Sequence, residues 1–177
     1  MGQLIIVEFG ISADDLFEQA DKLYVDGASD ENLARAEKLY EELIRRDPKH
    51  YLAMTNLAGV YYRRGETGDA LDLWFSVLVK SDFSCDVTYY NIGVAYLEMS
   101  LQEESLSFFK DAIRISTDPV LKADAFYNLA SALDELGRTA EAREAWKACL
   151  KLHPKGPLAS RARTWIEQTE PLRLVKK

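Results

Sequence analysis

Asn56-Leu57-Ala58-Gly59-Val60-Tyr61 and Asn91-Ile92-Gly93-Val94-Ala95-Tyr96 decide the fold, because one lies on the other at an offset of 35 residues. The same offset carries Ala70 to Ser105, Trp74 to Phe109 and Val77 to Ala112. A further shift of 37 brings in Asn128-Leu129-Ala130 and Leu133, followed by Ala142, Trp146 and Cys149. Three units therefore share one pattern, and a period in the thirties is the signature of stacked supersecondary units.

Within each unit the apolar residues fall at helical spacing twice, with a break between. Met54, Leu57, Ala58 and Tyr61 form one stripe, and Ala70, Leu73, Trp74, Val77 and Leu78 the next. Arg64 to Asp69 reads as the turn, with Gly65 closing the first helix in the left-handed conformation and Thr67 capping the second. Gly137-Arg138-Thr139 repeats that device, whereas Ser100 stands where a glycine is expected. Ala58, Gly93 and Ala130, with Ala70, Ser105 and Ala142 opposite, leave room for close backbone approach and for the aromatics Trp74, Phe109 and Trp146. Burying each large apolar side chain stabilises by roughly 1.5–3 kcal/mol. One hairpin cannot bury both of its faces, so stacking is obligatory.

The run of Asn-Leu-small, aromatic or Leu, Gly, Ala, aromatic, small residue and Pro resembles the tetratricopeptide repeat. The last unit shows nearly all of it in Leu129, Ala130, Leu133, Gly137, Ala142, Trp146, Cys149 and Pro154. Asp82, in place of a frequent proline, and Ser105, in place of alanine, depart from the pattern. The resemblance implies an all-α, right-handed solenoid of about four helix-turn-helix hairpins with a C-terminal capping helix. The expected organisation is a strand-like segment over 1–12 and a repeat array over 13–156. Within the array a degenerate repeat at 13–48 precedes repeats at 51–84, 86–118 and 123–156, and a capping helix with a basic tail fills 157–177. The degenerate repeat is read from Leu16, Ala20, Leu23 and Gly27, then Ala36, Tyr40, Leu43 and Pro48, with about four extra residues around Ala28 to Glu31.

The chain has 177 residues, of which 47% are hydrophobic, enough for a sizeable core without staples. Its formal charge of −7 is unevenly spread. Residues 1–142 hold 13 Lys and Arg against 26 Asp and Glu, and residues 143–177 hold 9 against 3. An acidic body argues against a nucleic-acid groove, which needs local positive charge. The run Leu4-Ile5-Ile6-Val7 is too short for a signal peptide or membrane span. Two distant cysteines suggest neither a disulfide framework nor a thiolate metal site, and a cytoplasmic location is expected.

Chemistry-bearing patterns are sparse. His50 and His153 each follow a second helix close to a proline and read as turn residues. No phosphate-binding loop, zinc helix or nucleophile elbow occurs. No catalytic residue, metal ligand or cofactor is expected, and the reading is a binding protein, not an enzyme.

Asn56, Asn91 and Asn128 recur once per unit at one helical place, on the first-helix face that the resemblance makes the concave binding side. An amide donates and accepts at once, so such a set can pair with the backbone of an extended peptide. Helical phase adds Tyr62, Arg63, Tyr90, Val94, Glu98, Tyr127, Ser131 and Asp134 to the expected peptide-binding face, with Thr55, Gly59, Leu97 and Glu135 beside them. Tyr62, Tyr90 and Tyr127 offer amphipathic contact area at low entropy cost. The carboxylate clamp known in the family needs Lys and Arg where this chain has Val87 and Asn91, or Asp124 and Asn128, so an acidic C-terminus is the ligand it suits least.

The expected partner is a protein or peptide, with no direct nucleic-acid or membrane contact. Two further expectations concern the start of the chain. Gly2 to Phe9, with Ala13-Asp14-Asp15-Leu16-Phe17, resembles the junction of bacterial regulators that set a MerR-like winged helix before such repeats, which implies a sensing relative lacking its DNA reader. An exposed Leu4–Val7 strand could also pair across a two-fold axis to form a homodimer.

Overall fold

The computed structural model describes residues 11–25 and 27–169. The regions that carry the expected N-terminal strand, the regulator-like junction and the basic tail lie wholly or largely outside them. Among the described residues all regular structure is helical: α1 (Ala13–Leu23), α2 (Asp30–Arg46), α3 (Tyr51–Arg63), α4 (Thr67–Lys80), α5 (Asp86–Glu98), α6 (Gln102–Ile115), α7 (Pro119–Glu135), α8 (Thr139–Leu152) and α9 (Pro157–Gln168). The chain divides into two compact units, Met1–Cys85 and Asp86–Lys177. Each is a stack of helical hairpins of the solenoid type.

In the first unit α1 packs on α2, α2 on α3 and α3 on α4. Its start is fixed locally by a capping box: Ser12 Oγ accepts from the Asp15 backbone N–H at 3.1 Å while the Asp15 carboxylate takes the Ser12 N–H. Leu16, Ala20, Leu33, Ala36, Tyr40, Leu43, Leu57 and Val60 make one buried cluster, so the degenerate first hairpin buries its stripes as the regular ones do. His50 turns out to be the N-cap of α3, with Nδ1 accepting from the Ala53 N–H at 3.1 Å and its ring 5.0 Å from Phe17.

The second unit stacks α5 on α6, α6 on α7, α7 on α8 and α8 on α9. Pro119 opens α7 behind Asp118, whose carboxylate accepts from the Val120 N–H at 2.8 Å. Gly93 is the point of closest approach: a Cβ there would meet the Phe109 ring at 2.7 Å, so only glycine lets this aromatic lie against α5. On α8 the Cys149 thiol is buried, and burial, with Asp124 nearby, pushes its pKa up and favours the protonated form.

The turns inside the hairpins correct one sequence expectation. Thr67 and Thr139 are the first residues of α4 and α8, not their caps; Glu66 and Arg138 occupy the cap positions and make no side-chain cap bond. The cause is the way the preceding helix ends. Glu66 N–H reaches back to Tyr61 O at 2.9 Å and Arg138 N–H to Leu133 O at 2.8 Å, a Schellman closure that uses the residue after glycine and leads straight into the next helix. Leu101 N–H does the same to Tyr96 O at 2.9 Å, with Ser100 forced to φ +61°. At the end of α4, Phe83 N–H bonds Leu78 O at 2.8 Å while Asp82 and Phe83 both sit at positive φ.

Candidate functional site

In the first unit, the expected binding face of α3 is largely occupied by the unit's own side chains. Thr55 is fully buried, and its carbonyl accepts the Trp74 indole N–H at 3.0 Å. A Cβ on Gly59 would fall onto the Tyr24 hydroxyl, so Tyr24 from the end of α1 lies where the sequence suggested open surface. The Arg63 guanidinium stands 4.1 Å above the centre of the Tyr24 ring and donates to Val25 O at 2.7 Å. Tyr24 in turn meets the buried Tyr40 ring edge-on, with centroids 6.2 Å apart.

Asn56 sits half-buried beside this stack. Its amide donates to the Tyr40 hydroxyl at 3.3 Å and to Asp21 Oδ1 at 3.4 Å. Burial raises the pKa of the Tyr40 phenol well above the ordinary tyrosine value, against the opposing hydrogen bond from Asn56. Tyr62 is half-buried, its ring tilted against Trp74 at 5.7 Å. Arg63 is the exposed member of the expected set in this unit.

The second unit keeps a more open face. Tyr90, Asn91, Val94 and Glu98 follow one another along α5, and Tyr127, Asn128, Ser131 and Asp134 along α7. The Asn128 amide donates to the Tyr90 hydroxyl at 3.0 Å, tying α7 to α5. Asn91 is half-buried and its side chain has no hydrogen-bond partner among the described residues. Val94 is half-buried, Glu98 and Asp134 are exposed, and the Ser131 hydroxyl bonds back to Tyr127 O at 3.2 Å.

An aromatic chain runs behind this face. Tyr127 meets Trp146 edge-on at 4.5 Å, Trp146 lies 6.0 Å from Trp165 of α9, and the Trp165 indole donates to Asp134 Oδ2 at 2.7 Å. The Trp146 indole N–H is buried and finds no acceptor among the described residues, unlike its counterpart Trp74. Asp124, one of the positions where a clamp would need a cation, is half-buried; burial raises its carboxyl pKa and the nearby His153 partly opposes this.

Sequence reasoning missed Asp21, Tyr24, Tyr40 and Trp165 as members of these faces. Tyr24 and Asp21 lie in the degenerate first hairpin, whose extra residues take it out of the repeat pattern, and Trp165 lies in the segment expected to form the capping helix. The arrangement offers amide, phenol and carboxylate groups beside aromatic surface. Those are groups that bind by hydrogen bonding and packing.

Three models of the tetratricopeptide repeat match, at residues 29–82, 87–119 and 123–155, and together they cover about two-thirds of the chain. No curated protein sequence matches significantly. Among solved structures the chain is similar to PilW, a widely conserved type IV pilus biogenesis factor, with 20% identity over 88% of this chain and 70% of that one, TM-score 0.72. It is also similar to PilF of Pseudomonas aeruginosa, with 18% identity, 88% and 77% coverage and TM-score 0.70. A third similar structure is YrrB, a repeat protein with an unusual peptide-binding site, at 18% identity, 90% and 80% coverage and TM-score 0.59. At these identities the structures speak for the fold, and the repeat models speak for descent: the chain belongs to the tetratricopeptide repeat family.

Proposed function

We propose that this protein is a scaffold that holds an extended segment of a partner protein on the α5, α7 and α9 face of its second unit. A general role in protein interaction follows from the repeat family; the face, the ligand conformation and the residues are our reading. One observation carries it. Asn91 presents a half-buried amide without a hydrogen-bond partner among the described residues, next in the chain to Tyr90, whose hydroxyl meets Asn128 of α7. The amide is open to solvent, so a ligand backbone that pairs with it exchanges a water hydrogen bond for a protein one, a net gain of about 0.5–1.5 kcal/mol.

The other two asparagines have different parts. Asn128 spends its N–H on Tyr90 and has its carbonyl left to accept, and Asn56 is held in the Tyr40 and Asp21 network. The proposed contact line is therefore Asn91, Asn128 and Tyr127, with Asp134 and Glu98 favouring a basic residue at the ends. YrrB, which shares the fold, has a peptide-binding site, and this supports peptide binding as a use of the fold.

Partner capture from native extract, followed by peptide mapping, supplies the ligand for the test. Asn91→Ala should weaken its binding roughly 2- to 12-fold, the equivalent of about 0.5–1.5 kcal/mol for a lost amide pair. Asn56→Ala should leave it unchanged at matched helix content. Equal affinity in wild type and Asn91→Ala would place the site elsewhere.

A further inference from the structure

The last turns of α3, α5 and α7 hold matching pairs of residues: the offsets of 35 and 37 carry Tyr62-Arg63 to Leu97-Glu98 and then to Asp134-Glu135. In the first unit the chain supplies a cation at this place. The Arg63 guanidinium lies 4.1 Å from the centre of the Tyr24 ring, which comes from the end of α1. At the end of α7 the roles are exchanged. A ring again comes in from a neighbouring helix, Trp165 of α9, but α7 meets it with the Asp134 carboxylate, whose Oδ2 accepts the indole N–H at 2.7 Å. Ring and carboxylate are in place there, and no cation is among the described residues that meet them.

Asp134 and Glu135 are both exposed, and their hydrogen bonds come from uncharged groups: the Trp165 indole, and the Gln102 amide at 2.8 Å. Neither carboxylate has an ion-pair partner among the described residues. Arg161, one turn before Trp165 on α9, makes no ring contact and no ion pair there either. The two negative charges therefore stand uncompensated. Trp165 is half-buried, 6.0 Å from Trp146 on its inner side, and part of its surface reaches solvent. The indole bond also fixes the geometry. It holds the carboxylate at the edge of the ring with Oδ1 left to accept, so a planar cation stacked on the ring can point an N–H at that oxygen.

We propose that Trp165 and Asp134 form a clasp for an arginine side chain of the partner segment. The inference rests on the α5, α7 and α9 face being the peptide site, and it names the residue that anchors the segment at the α9 end. Arginine suits the clasp better than lysine. A guanidinium lies flat on an indole and keeps its in-plane N–H groups for the carboxylate, whereas an ammonium is a compact charge that holds its water more strongly. The chain's own Arg63 shows the stacked arrangement on a smaller ring.

The full chain, labelled isotopically at nitrogen, is titrated at constant ionic strength with acetyl-Ala-Arg-Ala-amide to 20 mM. Parallel titrations use the same peptide with lysine, or with the uncharged isostere citrulline, in place of arginine. The Trp165 indole N–H resonance, identified as the one lost in Trp165→Phe, should follow a saturating curve with the arginine peptide. Citrulline should bind about five-fold more weakly, with lysine between them. Asp134→Asn keeps an oxygen for the indole N–H and removes the charge, so at unchanged circular dichroism it should make the arginine and citrulline responses about equal. Trp165→Leu, read at the Glu135 backbone N–H, should also weaken arginine binding about five-fold.

Equal responses to arginine and citrulline in the wild type, or a preference for arginine that survives Asp134→Asn, would overturn the proposal. So would a Trp165 resonance that responds only after residues 170–177 are removed, since the occupant would then be the chain's own end. A silent Trp165 with partner binding still weakened by Asn91→Ala strikes the clasp alone. A responsive Trp165 with partner binding indifferent to Asn91→Ala strikes the extended-peptide reading and leaves the clasp.

Discussion

Ser100→Gly should make this protein more stable. Ser100 occupies the residue after the end of α5 at φ +61°, with its N–H on Leu97 O at 3.0 Å and the following N–H on Tyr96 O at 2.9 Å. Gly65 and Gly137 fill the same place after α3 and α7, at φ +82° and +72°, with matching bonds. The backbone demand is thus identical at three turns, and one of them meets it with a residue whose Cβ crowds the following carbonyl. A side chain in the left-handed region costs about 1–2 kcal/mol. Glycine gives back roughly 0.5–1 kcal/mol through the extra freedom of the unfolded chain. The net expectation is a gain of about 0.5–1 kcal/mol, or a Tm raised by about 2–4 °C per kcal/mol for a chain of this length. The reciprocal change Gly137→Ser should cost a similar amount. Urea unfolding followed by far-ultraviolet circular dichroism at fixed pH gives both values, and the reasoning fails if Ser100→Gly is neutral or destabilising while Gly137→Ser is destabilising. That result would mean the serine side chain supports the turn in a way that its backbone geometry does not show.

Gly93→Ala should destabilise by about 1–3 kcal/mol through overpacking against Phe109, and Phe109→Leu in the same chain should recover part of the loss, a coupling measurable in a double-mutant cycle. Asp124→Asn should raise the melting temperature at pH 7. The native carboxyl has its pKa raised by burial, so the ionised form weakens the fold above that pKa, and the advantage of the variant should vanish as pH falls below the ordinary aspartate value. Replacing Tyr24 by Ala removes the ring under the Arg63 guanidinium and the cover over Gly59; because the ring is half-buried it should lower stability by about 1–3 kcal/mol, less than the loss of a fully buried aromatic, and expose the Asn56 amide to solvent exchange by NMR.

The hairpins and their partners were legible because a repeat writes the same physical problem several times. Leu57, Ile92 and Leu129 recur with Trp74, Phe109 and Trp146 since each hairpin must bury the same two stripes, and an offset exposes that without knowledge of any one environment. The faces were less legible. Helical phase placed Asn56 and Gly59 on the expected binding face of α3 but could not show that Tyr24, from a hairpin with four extra residues, reaches over them. Asp134 was placed on the expected peptide-binding face, but helical phase within one hairpin could not show that the Trp165 indole N–H of α9 donates to it. The turns show the limit again: threonine after glycine suggested a cap, but the cap position is fixed by how the previous helix closes.

The bond from the Trp165 indole N–H to Asp134 gives the second unit a native optical probe. Indole emission responds to its hydrogen-bond partner and to water, and this half-buried ring stands beside the proposed peptide face, whereas Trp74 and Trp146 are almost fully enclosed. In a Trp74→Phe background, the exposed part of the fluorescence, separable with an external quencher such as acrylamide, belongs to Trp165. A partner can then be followed arriving on the face without any attached dye.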